Sequence, residues 1–104
     1  MEQLSTGWLY LLQSGDSNHF KIGLTVRPVE KRIAQLSTGS PVDITLIKAW
    51  QVPTKQLKET EAAVHKEFGY RRIKLEWFTF DDAEQALGYV EGLLIVLRGT
   101  DNFK

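Results

Sequence analysis

Two strand-like segments, Trp8 to Leu12, all large and apolar, and His19 to Gly23, which carries Phe20 and Ile22, flank the cluster Ser14-Gly15-Asp16-Ser17-Asn18. In an extended strand, side chains alternate between faces. Trp8, Tyr10 and Leu12 therefore share one side, and Leu9 and Leu11 the other, so both faces need cover. The residues between the runs are turn formers, which join the two strands as a hairpin. An apolar hairpin this early commits the chain to a sheet with layers on both sides.

The remaining segments supply those layers. Thr25-Val26-Arg27-Pro28 opens a helix, because proline suits a first helical position. Val29, Ile33 and Leu36 form its apolar stripe, and Ser37-Thr38-Gly39-Ser40-Pro41 ends it. Ile44 to Trp50, rich in β-branched and large apolar residues, reads as a third strand. Pro53-Thr54 starts a second long helix that runs to about Phe68 and stops at Gly69. A basic turn follows, then a short extended piece from Leu75 to Phe80. Asp81-Asp82 cap a last helix carrying Ala86, Leu87, Val90, Leu93, Leu94 and Leu97. The expected class is α/β (α+β), with a small three-stranded, mostly antiparallel sheet flanked by helices. The whole chain, 1–104, reads as one domain with its core at about 7–80 and a C-terminal helix at about 81–98, and with a frayed tail from Gly99.

The 104 residues are 42% apolar, with three Trp and five Phe, enough for one core. Without cysteine, a disulfide framework and a thiolate zinc site are both excluded. The start Met1-Glu2-Gln3-Leu4-Ser5 lacks the pattern of a signal peptide, and the run Leu93 to Leu97 is too short to cross a bilayer. A cytoplasmic protein without membrane association is expected. Net charge is zero, but between His19 and Lys74 eleven basic side chains stand against five acidic ones. Glu76, Asp81, Asp82, Glu84 and Glu91 contribute to the balancing negative charge, so a basic face is expected. Such a face suits phosphate binding as well as ordinary solvation.

Glu61 has the most unusual position. At about 100° per residue it falls within the stripe of Leu57, Val64 and Phe68. A carboxylate buried there needs a cationic partner, either a nearby basic side chain or a hard divalent ion. His65, one turn later, points the same way; a Glu/His pair at this spacing is too small for a closed zinc site, and a lone histidine also serves as a hydrogen-bonded spacer or phosphate contact. Tyr10 sits mid-strand, where an aromatic is normally core. Lys21 interrupts an apolar strand, which suits general-base or phosphate-charge work, or protection of a sheet edge. Arg32, at the margin of its helix stripe, can lean over the sheet to hold phosphate or pair with an acid, with Arg27 a less specific neighbour.

Trp8-Leu9-Tyr10, Lys21-Ile22-Gly23, Arg32 and Glu61 together resemble, in order and spacing, the GIY-YIG nuclease superfamily. Arg32 to Pro41 and the later Glu61, His65, Phe68 and Glu76-Trp77-Phe78 are similar to its compact branch from phages and mobile elements. The resemblance covers roughly residues 7–80. It implies a metal-dependent endonuclease acting on DNA, with one divalent ion, Mg²⁺ or alternatively Mn²⁺, on Glu61. It further implies that Tyr10 or Lys21 orients or deprotonates the attacking water, that Arg32 neutralises phosphate charge, and that Glu76 orients a neighbouring group, although Glu76-Trp77-Phe78 reads equally as a structural turn with both aromatics buried. His65 completes the catalytic set, and Arg27, Lys31, Arg71 and Arg72 are the expected nucleic-acid contacts. The chain departs from the family in having Lys21 for the second-motif tyrosine and Leu36 for a helix histidine, which His19 or His65 would replace in space.

Two other classes fit the same residues. One is a nucleic-acid-binding module without turnover. The other is a protein-interaction domain presenting Trp50, Trp77 and Phe78 as an exposed patch, with Glu61 in an ion pair. Target specificity usually needs an appended reading element. With few residues outside the nuclease-like span, the expectation is low specificity, recognition of DNA structure, or help from a homodimer or a specificity partner.

Overall fold

A computed structural model describes residues 6–38 and 43–102. The hairpin forms from β1 (Thr6–Ser14) and β2 (His19–Thr25), with Tyr10 opposite Gly23 and Leu12 opposite Lys21. On its other side β1 pairs antiparallel with β3 (Ile44–Pro53), and a bulge sets Leu11 opposite Lys48 and Leu12 opposite Leu46. Two strands of three residues each, β4 (Arg72–Lys74) and β5 (Trp77–Thr79), complete the sheet in the order β3-β1-β2-β5-β4. All pairings are antiparallel.

The α+β class therefore holds, but the sheet has five strands where the sequence suggests three. The extra pair lies in the segment read as a basic turn and an extended piece. Three residues are too few for alternation to register, and β5 is defined by its distant partner: Thr79, Phe78 and Trp77 face His19, Phe20 and Lys21.

Helix α1 (Val29–Ser37) covers one face, enclosing Tyr10 and Leu12 with Val29, Ile33, Leu36, Trp8, Ile44 and Ala49. Pro28 occupies its N-cap rather than its first turn. Of the expected stop signal, Gly39 to Pro41 lie outside the described residues. Helices α2 (Leu57–Phe68) and α3 (Ala83–Asn102) cover the other face, where Leu9, Leu11, Phe20, Ile22 and Phe78 meet Val64, Phe68, Ala86 and Val90. A 3-10 turn at Thr54–Gln56 precedes α2, and another at Gly69–Arg71 carries the chain on past Phe68. Asp82 caps α3 by accepting from the Gln85 backbone N–H at 2.8 Å. That helix continues through the stretch expected to fray, to Asn102.

Trp50 and Phe78 are buried in the larger cluster, and Trp77 is half-buried, so these three form no exposed aromatic patch. Among the described residues no helix is long and apolar enough to cross a membrane.

Candidate active site

Tyr10, Gly23 and Lys21 lie on the sheet face under α1, as strand alternation and the β1–β2 register require. Tyr10 is fully buried, as a core aromatic is expected to be. Its ring crosses β2 directly over Gly23; a Cβ on Gly23 would stand 2.4 Å from the hydroxyl oxygen and 2.5 Å from Cζ. Only glycine admits the phenol there. The hydroxyl oxygen accepts a 3.3 Å hydrogen bond from Arg32 Nε, while Arg32 Nη1 donates to Gln35 Oε1 at 3.3 Å. The bond to Tyr10, then electrostatic attraction to it, holds the Arg32 guanidinium above its ordinary value; burial opposes, and Glu76 adds a lesser attraction.

Lys21 is buried, 9% exposed, in the middle of the sheet, so it does not guard an edge. Its ammonium pairs with Glu76 at 3.0 Å and lies 5.6 Å from the centre of the Trp77 ring. The turn between β4 and β5 presents that carboxylate. Leu75 sits at φ 53, in the left-handed region that a leucine adopts at a cost of about 1–2 kcal/mol. Its carbonyl accepts from Arg72 Nε at 2.6 Å, and the Glu76 carbonyl accepts from the Ile22 N–H at 3.1 Å. Tyr10, Arg32, Lys21 and Glu76 are thereby gathered on one side.

Glu61 departs from the wheel argument. Thr60 is buried beside Val64 and Phe68, and Glu61 is exposed. The helix is rotated so that its contact line runs on the Thr60 side of the stripe, and the carboxylate at the opposite margin remains in water. It forms no hydrogen bond or ion pair among the described residues, so the expected desolvation does not arise. His65 is half-buried and packs edge-on against Phe78, ring centres 6.0 Å apart. Both belong to α2, which packs on the sheet face opposite Tyr10 and Lys21. Leu57, one turn before Glu61, nevertheless borders a groove shared with Arg32.

Among the described residues no three His, Asp or Glu side chains gather into a metal cage. An exposed carboxylate with no cationic partner among the described residues does fit Mg²⁺, which keeps several waters and takes one or two carboxylates plus substrate phosphate. It does not fit a closed zinc site.

The basic candidates separate. Arg27 and Lys31 are exposed at α1, close to Arg32 in the chain. Arg71 lies elsewhere, about 5 Å from the ring centres of Tyr70, Phe80 and Tyr89, and donates to the Thr79 carbonyl and to Gln85. Arg72 is engaged with the Leu75 carbonyl. His19 is exposed at the start of β2, and Leu36 packs in the α1 core. The role of Gly23 in seating Tyr10 and the pairing of Glu76 with Lys21 were not evident from spacing; the sequence signals were a glycine in the second motif and an acid followed by two aromatic residues.

The fold and these side chains define an α+β domain whose sheet carries a buried tyrosine–arginine contact beside a lysine–glutamate pair. The chain belongs to the T5orf172 domain family, a phage-associated group, which it matches over residues 7–93. Neither a curated protein nor a solved structure matches it.

Proposed function

We propose that the chain is a divalent-metal-dependent DNA endonuclease of the GIY-YIG type, hydrolysing phosphodiester bonds. The observation that carries the reading is the contact between Arg32 Nε and the Tyr10 hydroxyl, on the face that also holds Lys21. These residues occur in the order of the nuclease motifs, and the T5orf172 domain is often linked to nuclease-like folds.

The geometry supports a division of labour. Lys21 already donates to a carboxylate, so it serves as a positive charge and hydrogen-bond donor toward phosphate rather than as a base. Tyr10 orients the attacking water through its hydroxyl, whose oxygen already accepts from Arg32 Nε, and the water's proton passes to solvent. The Tyr10 hydroxyl is closed to solvent while Arg32 lies across it. Phosphate binding draws Arg32 toward the substrate, opens the hydroxyl to water and places the guanidinium where charge builds in the transition state. Glu61, exposed on α2 one turn past the Leu57 that borders the Arg32 groove, would hold the Mg²⁺ or Mn²⁺, which would supply Lewis-acid stabilisation of the phosphate when bound. His65, seated on Phe78, supports α2 near Glu61. Arg27 and Lys31 contact flanking phosphates.

Supercoiled plasmid incubated with the protein and Mg²⁺, Mn²⁺ or EDTA tests this reading. Metal-dependent nicking that falls at least about a hundredfold in folded Glu61→Gln and Tyr10→Phe variants is the expected result. The complete burial of Tyr10 favours a second reading, a nucleic-acid-binding module without turnover. Salt-sensitive DNA binding with no cleavage of any DNA form would establish that instead.

A further inference from the structure

A groove of about 520 Å³ runs from the end of β2 across the start of α1 to the first turn of α2. Its lining mixes chemistries: Arg27, Arg32, Gln35 and Thr25 are polar, and Leu24, Val26 and Leu57 are aliphatic. Val26 is 62% exposed, an aliphatic side chain held open to water beside two guanidinium groups. The aliphatic part of the lining is built in: the Leu57 methyls rest on the backbone of β1 at Gly7, where a Cβ would stand 2.9 Å from Leu57 Cδ1 and 3.0 Å from the Thr25 carbonyl oxygen. Arg32 is shared between this groove and the Tyr10 hydroxyl, so the groove begins where the candidate active site ends.

We infer that this groove is a subsite for the nucleotide next to the scissile phosphate, with that nucleotide's own phosphate on Arg27, Arg32 remaining on the scissile one, and its sugar and base against Leu24, Val26 and Leu57. The choice of ligand rests on the phosphodiester reading above. The volume falls within the range of small-ligand sites, about 300–1,000 Å³. Guanidinium groups beside aliphatic side chains match a molecule with an anionic phosphate at one end and the weakly hydrated face of a base at the other. Among the described residues no aromatic ring lines the groove, Gln35 is held by Arg32 and the Thr25 hydroxyl oxygen accepts from the Arg27 backbone N–H, so the subsite takes any base.

The test is amide chemical-shift mapping of the metal-free protein in EDTA with thymidine 5′-monophosphate, thymidine and inorganic phosphate in turn. The monophosphate should shift the amides of Leu24, Val26, Arg27, Gln35 and Leu57 saturably. It should bind at least about tenfold tighter than either fragment, since burying the nucleoside adds to the phosphate contact. Val26→Asp, a change at an exposed site, should weaken that binding about tenfold by setting a carboxylate beside Arg27. Shifts centred elsewhere, a monophosphate no tighter than phosphate, or unchanged affinity in Val26→Asp would overturn the subsite. Plasmid nicking by the same preparation separates the two claims. Nicking without groove binding removes the subsite and leaves the nuclease; groove binding without nicking removes the nuclease and leaves a nucleotide-binding groove with no scissile phosphate beside it.

Discussion

The phenol of Tyr10 lies across the backbone of Gly23, its hydroxyl oxygen 2.4 Å from the point a Cβ would occupy. The two residues face each other in the β1–β2 register, so a side chain at 23 would fall on the Tyr10 ring itself. Gly23→Ala is expected to displace the ring and break the bond to Arg32. The overpacking should destabilise the fold by about 1–3 kcal/mol. Tyr10→Phe in the same chain should not restore stability, because Cζ and Cε1 are also within 2.9 Å of the new methyl. Urea unfolding of the single and double variants checks this; restoration by Phe would show that the hydroxyl alone causes the clash.

Lys21 and Glu76 form an ion pair of unequal burial, their side chains 11% and 32% exposed. Removing either partner therefore has different consequences. Glu76→Gln leaves an ammonium buried without its counter-charge and should cost about 3 kcal/mol. Lys21→Met leaves a carboxylate that water can reach and should cost about 1 kcal/mol or less. Equal losses in denaturant titrations would contradict this asymmetry.

The basic side chains should divide by what they touch. Arg27→Ala and Lys31→Ala are each expected to lower the slope of log affinity for DNA against log salt by about 1 with little change in stability. Arg71→Ala should leave that slope alone. It removes a guanidinium packed among Tyr70, Phe80 and Tyr89 and should destabilise by about 1–2 kcal/mol. Binding titrations at several salt concentrations, paired with thermal unfolding, distinguish the two groups.

A pH dependence follows from α3. Lys48 donates to Glu91 from β3, and Trp50 Nε1 donates to the same oxygen, at 3.4 Å. The Lys48 hydrogen bond chiefly holds the Glu91 carboxyl below its ordinary 4.5, with burial opposing. A carboxyl depressed in the folded state stabilises above its unfolded value, and that contribution is lost as pH falls through the folded value. Lys48→Met should therefore unfold at lower urea than the parent near about pH 6.5, and the gap should close below about pH 4.5. A gap that persists in acid would assign the effect of Lys48 to packing on Trp50.

Much of this architecture follows from local physics. Alternation over Trp8 to Leu12 dictated a strand covered on both faces, and the turn cluster after it dictated a hairpin; both are properties of a few consecutive residues. The stripe Val29, Ile33 and Leu36 and the Asp82 cap likewise marked helices that form where expected. Glu61 shows where such reasoning ends. A helical wheel gives the angles between side chains but not which line of the helix meets the sheet, and packing on the Thr60 side left the carboxylate in water. Strands β4 and β5 exist because Phe20 and Lys21 offer β5 a partner, not because their residues declare a period. The same long-range pairing carries Glu76 to Lys21, and the hairpin register carries Gly23 beneath Tyr10. The sequence by itself determined the residue types and the order of elements. Only the tertiary structure decided which charges meet, because meeting depends on register and helix rotation set by the packing of the whole core.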